Sequence, residues 1–416
     1  MNESTPAMTR RTVLRAAALS GACLALAGCA APAPRRAERP EARSGEGPDP
    51  APRTEAEQDG PDPNGPDPDP PAAAGALLLA SLARGDEVAV VDPSLPEAEA
   101  VTRTIRVGAA PWGVGVSPDG RTGYAATAEG LAVVDLRAGS RSALVQYRHP
   151  AARIETGEYR PGGLGLAVSP DGSRVYVAVT DGGMDPGSSV LEVFDTGSGR
   201  FTGSAEVGLR PFDVLVAPDG TWAATVDHDG FTISVVDAHT LEATAHTVAP
   251  FGTEGGLASW EKPHYGAVAD DGTILLPYQG LVVARLDPAS GAVTTIESRA
   301  DSHSHGTALA GSRLLTVGTG AFGNAAGSPN LSILDLESGE EEIVPLDRPH
   351  ETVAVWRDAR GAAHAAVAGG NTRDAGWDGI TMIALDGTGR AAGSGRAQRR
   401  IPTPGYPQAV VAFAAG

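Results

Sequence analysis

One phrase recurs through most of this chain: an apolar strand, a tight turn, a second apolar strand, a variable connection, then a strand that closes on aspartate. The turns are Ser117-Pro118-Asp119-Gly120, Ser169-Pro170-Asp171-Gly172, Ala217-Pro218-Asp219-Gly220 and Ala269-Asp270-Asp271-Gly272. Pro at the second position with Gly at the end is the chemistry of a short reversal between neighbouring strands. The closing aspartates are Asp92, Asp135, Asp195, Asp237, Asp287, Asp335 and Asp386, with a mean spacing of about 49 residues. Alternation such as Ile233-Ser234-Val235-Val236 has the two-residue period of a half-buried strand and not the period of a helix.

Seven closures at that spacing predict an all-β chain, a seven-bladed β-propeller over residues 76–416. The chain ends indicate how the ring shuts. Residues 76–107 supply three strands with no Pro-led first strand before them, and Pro407 to Phe413 is a first strand with nothing after it. Pairing the two completes a blade from both ends and leaves no open edge, whereas an open β-solenoid leaves both ends unpaired. The 54 Gly and 33 Pro, with only 5% aromatic residues, agree with a turn-rich fold without long helices.

The N-terminus reads as an address. Arg10-Arg11-Thr12-Val13-Leu14 is a twin-arginine start, followed by an uncharged apolar run from Ala16 to Ala27. That run is too short for a membrane span of about 20 residues and fits a signal peptide. It ends in Leu26-Ala27-Gly28-Cys29, which resembles the bacterial lipobox, with the lipid expected on Cys29 and cleavage before it. Residues 29–75 would then be a lipidated cysteine and a disordered tether, with Gly-Pro-Asp-Pro recurring at Gly47, Gly60 and Gly65 and too little apolar surface to offset ordering. Loss of residues 1–28, with Arg10, Arg11 and Arg15 against Glu3, would take the net charge from −19 to −21. Such acidity argues against nucleic-acid binding and against a polybasic membrane contact, so the expected membrane link is the lipid alone. Only two cysteines occur, Cys23 and Cys29, so neither a disulfide framework nor a Cys-rich zinc module is available.

Aligning the first strand of each blade on its turn singles out one position: Trp112, Leu164, Phe212, His264, His305, His350 and Gln408. In a propeller these positions converge on one mouth of the central channel. Three of the chain's nine histidines fall there in successive blades. Three imidazoles facing one point, with a fourth position open, suit a tetrahedral dication. With no thiolate present, nitrogen and oxygen donors favour zinc over copper or nickel. Glu351, Asp213, His228 and His303 are further candidate ligands, or groups that orient an imidazole through its second nitrogen. Each also has a plain structural reading, since Asp229-Gly230 beside His228 is itself a hairpin signal. Lys262 reads as a solvated loop lysine, or else as a counter-charge for a ligand anion. The longer connections, residues 148–160, 181–189, 249–262, 318–330 and 369–378, are expected on this same face.

These Pro-led strands, Ser-Pro-Asp-Gly turns and Val-Val-Asp closures resemble the YVTN-type seven-bladed β-propeller repeat. The segment Pro263-His264-Tyr265-Gly266, followed by Asp270-Asp271-Gly272, is similar to the phrase around a zinc-binding histidine in AztD-type periplasmic zinc chaperones. That second resemblance implies a zinc site near the ring centre and delivery of the ion to a zinc-uptake binding protein. The chain departs from that family in lacking a His-rich N-terminal segment. The functional expectation is a monomeric, membrane-anchored extracytoplasmic propeller that holds a divalent metal without catalysis. The alternatives are a metal- or His-dependent lyase or hydrolase and a metal-free protein-interaction scaffold.

Overall fold

The computed structural model describes residues 75–414 apart from 158, 182–188, 249–261, 263, 279–281, 301–303, 320–327, 370–377 and 386–395, and without the side chains of Ser304 and His305. The signal peptide, Cys29 and the tether, together with His303 and Asp386, lie outside the described residues. No helix occurs among the described residues.

Twenty-eight strands form seven four-stranded antiparallel sheets, which confirms the expected seven-bladed propeller. The closing blade takes β1 (Ala76–Leu82), β2 (Glu87–Val91) and β3 (Val101–Arg106) from the start of the ring. The next three blades are β4 (Val114–Val116), β5 (Thr122–Ala126), β6 (Leu131–Asp135) and β7 (Ser140–Val145); β8 (Gly162–Val168), β9 (Arg174–Thr180), β10 (Ser189–Asp195) and β11 (Arg200–Val207); and β12 (Pro211–Val216), β13 (Trp222–Asp227), β14 (Thr232–Asp237) and β15 (Ala243–Thr247). Then come β16 (Ala267–Val268), β17 (Ile274–Tyr278), β18 (Val282–Leu286) and β19 (Val293–Glu297), and β20 (Ser304–Ala310), β21 (Arg313–Gly318), β22 (Asn330–Asp335) and β23 (Glu341–Pro345). The last full blade is β24 (Thr352–Arg357), β25 (Ala363–Ala368), β26 (Ile380–Ala384) and β27 (Gln398–Ile401).

The final strand, β28 (Pro407–Ala414), pairs antiparallel with β1 from Ala76↔Ala414 to Leu82↔Pro407, so the ring closes as the sequence predicts. Each first strand lies against the first strand of the next blade, which sets β28, β4, β8, β12, β16, β20 and β24 around the axis.

The recurrent residues have local causes. In the turn after β4, Gly120 N donates to Ser117 O at 2.9 Å while the Ser117 hydroxyl donates to Asp119. Gly120 sits at φ +71°, a left-handed conformation that only glycine adopts without strain. The closing aspartates cap the turn into the outermost strand. Asp135, Asp195, Asp237 and Asp335 accept from backbone N–H groups three residues on, at 2.7–2.8 Å. That capping is why Asp recurs at the end of every third strand.

The core lies between blades. Leu79, Val88, Val90 and Val114 of the closing blade and its neighbour pack together, as do Leu78, Ala366, Met382 and Ile401 on the other side. Burying each such Leu or Val contributes about 1.5–3 kcal/mol.

Candidate functional site at the histidine end of the channel

The pairing Pro211↔Asp227 brings the end of each second strand beside the start of its first strand, so residues 227–229 stand at the same mouth as Phe212. The positions aligned from sequence are buried as a ring: Trp112, Leu164, Phe212, His264, His350 and Gln408 are each at most 3% exposed. The backbone of His305 lies in β20, and its side chain is outside the described residues.

The ring has an apolar half and a polar half. Trp112, Leu164 and Phe212 cluster, with Tyr159 packed against them. Phe212 stacks on His264 at 6.1 Å between centroids with a 12° tilt, and meets the His228 ring edge-on at 4.9 Å. The imidazoles of His228 and His264 are 4.4 Å apart, centroid to centroid. The structure therefore brings two of the sequence candidates, on neighbouring blades, into direct ring contact.

Asp229 organises the polar half. Its Oδ1 lies 2.8 Å from His228 Nδ1 and accepts from Lys262 Nζ at 2.8 Å, while Oδ2 accepts from Arg210 Nε. Burial opposes ionisation of Asp229, but the hydrogen bonds from His228, Lys262 and Arg210 outweigh it and hold the carboxyl well below its ordinary range. His228 is pushed down to about 4, first by burial and then by the charges of Lys262 and Arg210, against the opposing pull of Asp229. At neutral pH the ring is thus uncharged. With its Nδ1 proton donated to Asp229, Nε2 is left as the lone-pair nitrogen. Arg210 adopts φ +51° directly before Pro211, and its guanidinium covers the Tyr159 ring at 4.4 Å. Bulky residues hold such a conformation at a cost of about 1–3 kcal/mol, a strain that clusters at functional sites.

The other candidates sit differently. His350 Nδ1 donates to Gly369 O and Nε2 accepts from the Thr381 hydroxyl, both at 3.1 Å, which holds the ring inside its own blade. Burial pushes its pKa down to about 3, against the Gly369 hydrogen bond. Glu351, 6% exposed, accepts from Gln408 Nε2 at 2.9 Å. Asp213 Oδ2 accepts from Gly266 N at 3.1 Å and so ties β12 to the start of β16. Burial raises Asp213 to about 7 against that hydrogen bond and one from Val214 N. Asp227 takes the hydroxyls of Thr225, Thr232 and Ser234 and serves its own blade. Gly306, after His305, abuts the backbone of Glu351 and Thr352, where an added Cβ would lie 2.4 Å from Thr352 Cα. β20, which carries His305, and the start of β24, two residues after His350, are accordingly in close backbone contact. Among the described residues no three His, Cys, Asp or Glu side chains are grouped closely enough to hold a metal by themselves.

Lys262 differs from its expected solvated state. Its side chain is 8% exposed, and its ammonium is bonded to Asp229 and lies 5.7 Å from the Phe231 ring centre. Three basic residues directly precede a leading proline, Arg210-Pro211, Lys262-Pro263 and Arg348-Pro349, and of these Arg210 and Lys262 are buried in this cluster while Arg348 is exposed. A cation repeated at one register is not random loop composition.

No protein-family profile and no curated protein sequence matches this chain. Solved structures do. Hydrazine synthase from Kuenenia stuttgartiensis superposes with a TM-score of 0.54 at 18% identity, covering 73% of this chain and 90% of that one. A functionally unknown protein from Desulfotomaculum acetoxidans superposes with a TM-score of 0.58 at 8% identity, covering 82% and 99%. Likeness at such identities establishes the shared propeller fold.

Proposed function

We propose that this propeller binds a divalent metal ion, zinc by the nature of its donors, at the histidine end of the channel, as an extracytoplasmic protein anchored through lipid on Cys29. The observation that carries the reading is the His228–His264 contact at 4.4 Å, with Asp229 on His228 Nδ1. An imidazole whose second nitrogen is held by a carboxylate is the usual arrangement of a metal-bound histidine, fixed in tautomer and raised in basicity. His305, in the same register on the blade after His264, supplies a third nitrogen. His350 joins by exchanging the Thr381 hydroxyl for the ion. The role that follows is carriage of the metal, with delivery to a zinc-uptake binding protein as its outlet.

The test is elemental analysis and calorimetric titration of the untagged protein with zinc. One equivalent is expected in the wild type and none in a His228→Ala/His264→Ala double variant of unchanged circular dichroism. Stoichiometry unaffected by the double variant would sink the proposal and leave the scaffold reading. The Asp229–His228 pair also favours a second reading, in which the neutral imidazole is a general base for a lyase or hydrolase. Turnover of a lactone or ester that is lost in His228→Ala would establish it.

A further inference from the structure

Away from the histidine end, a cavity of about 470 Å³ lies where the last full blade meets the closing blade. Its walls include Trp356 and His364, whose rings stand 5.1 Å apart at a 54° tilt, with Met382 of β26 and Pro93 of the connection after β2. Two cations, Arg360 and Arg399, also line it. Arg399 donates to the carbonyls of Pro93 and Leu95, which hold it across the junction without neutralising its charge. The carboxylate among the described lining residues, Asp358, already accepts from the N–H groups of Arg360 and Ala362, each at 2.9 Å. The space is therefore aromatic-walled with a surplus of positive charge, on a chain whose net charge is −19.

The chain enters the ring beside this cavity. Trp356 Nε1 donates to Ala76 O, and a Cβ added to Gly75 would lie 3.4 Å from Ala359 N, at the cavity rim. Residues 68–74, Pro68-Asp69-Pro70-Pro71-Ala72-Ala73-Ala74, come directly before that point. Proline-rich segments dock in aromatic-lined grooves because proline has little backbone freedom to lose. At about 3.1 Å per residue, seven residues reach about 22 Å, so every wall of the cavity is accessible to them. Asp69 is the one charged residue of the seven and is opposite in sign to Arg360 and Arg399. The segment between the lining residues Ala384 and Ala397 carries Arg390 and Arg396 against Asp386, and so adds positive charge to a positive space.

We infer that this cavity is the docking site of the chain's own segment 68–74, with its prolines against Trp356 and His364 and the Asp69 carboxylate beside Arg360. The segment straps the junction at which the ring closes, since Pro93 belongs to the closing blade and Trp356 to the last full one. Covalent continuity through Gly75 gives it an effective concentration in the millimolar range, so weak contacts suffice. None of the lining residues belongs to the histidine cluster, and the inference does not rest on the metal reading.

The test is nuclear magnetic resonance of the full chain with isotope-labelled tryptophan, the Trp356 indole signal being identified by its loss in Trp356→Phe. Replacing Pro68, Asp69, Pro70 and Pro71 by Gly-Ser-Gly-Ser keeps the length of the segment. That variant is expected to move the Trp356 signal and to leave Trp222, in another blade, where it is. Amide exchange at Ala72, Ala73 and Ala74 is expected to be about tenfold faster in it than in the wild type, with Arg360→Ala in between. Arg360 is exposed and residues 68–71 precede the first strand, so neither change removes a core contact. An unmoved Trp356 signal, or equal exchange in wild type and variant, overturns the inference. A Trp356 signal that shifts with protein concentration, equally in both chains, assigns the cavity to a second copy and overturns it too.

Discussion

Asp229 takes hydrogen bonds from three side chains at once, two of them permanent cations. Replacing it by Asn removes the negative charge that Asp229 sets beside buried Arg210 and Lys262, a change that costs about 3–5 kcal/mol for a buried pair. Denaturant unfolding of Asp229→Asn is expected to show a loss of that order, and zinc affinity is expected to fall with it. His350 gives a pH signature. Its folded pKa, about 3, lies below the ordinary 6.5, so between those values the unfolded chain binds the extra proton and stability falls as pH falls. Asp171, lowered to about 2 by the hydroxyl of Ser169 and the N–H and hydroxyl of Ser173, contributes stability that is present above 3.8 and lost as pH drops through 2. Melting temperature against pH is expected to show both windows, with His350→Gln reducing the upper, to which His228 also contributes, and Asp171→Asn reducing the lower, to which Asp229 also contributes. At this scale the register read from sequence falls on buried positions, Trp112, Phe212, His264, His350 and Gln408. It gave no means of finding that the His228 ring would meet the His264 ring, because ring orientation depends on contacts between blades. Nor did it show that Thr381 would engage His350, because that hydroxyl comes from a strand thirty-one residues on.

Among the elements, β28 and β1 decide whether the ring exists. Leu79 on β1 is fully buried and pairs with Val90 on one side and Val411 on the other. Leu79→Ala is expected to cost about 2–5 kcal/mol in chemical denaturation. Ile154, 53% exposed, should tolerate Ser within about 0.5 kcal/mol. Deleting residues 407–414 is expected to abolish the single cooperative transition and produce aggregates by size-exclusion chromatography, since β1 then presents an unpaired edge. This level was the most legible from the chain. Asp-capped turns and Pro-Asp-Gly reversals are written in a few adjacent residues, so Asp135, Asp195 and Gly120 announce their conformations locally. The exception is β16. It spans two residues, and its entry is secured by the Asp213 carboxylate on the preceding blade, which no local pattern encodes.

Over the whole molecule, the charge of −19 sets up a field that draws cations inward. The association rate of zinc, followed by stopped-flow, is expected to fall several-fold between 50 and 500 mM salt if the mouth shares that field. The proposed lipid anchor has its own check: Cys29→Ala is expected to move the protein from the membrane to the soluble fraction. Circular symmetry made the blade count readable from sequence, whereas the site occupies one arc of the ring and depends on where the repeats differ.

Ser81 and Ala409 are neighbours in space but lie 328 positions apart in the chain. During translation β1 leaves the ribosome long before its partner has been made, and its sticky side stays uncovered in the interval. A cell making this protein must therefore shield a nascent β-strand for most of the time needed to synthesise it. Productive yield should consequently depend more on holdase capacity and elongation speed than on the stability of the finished ring.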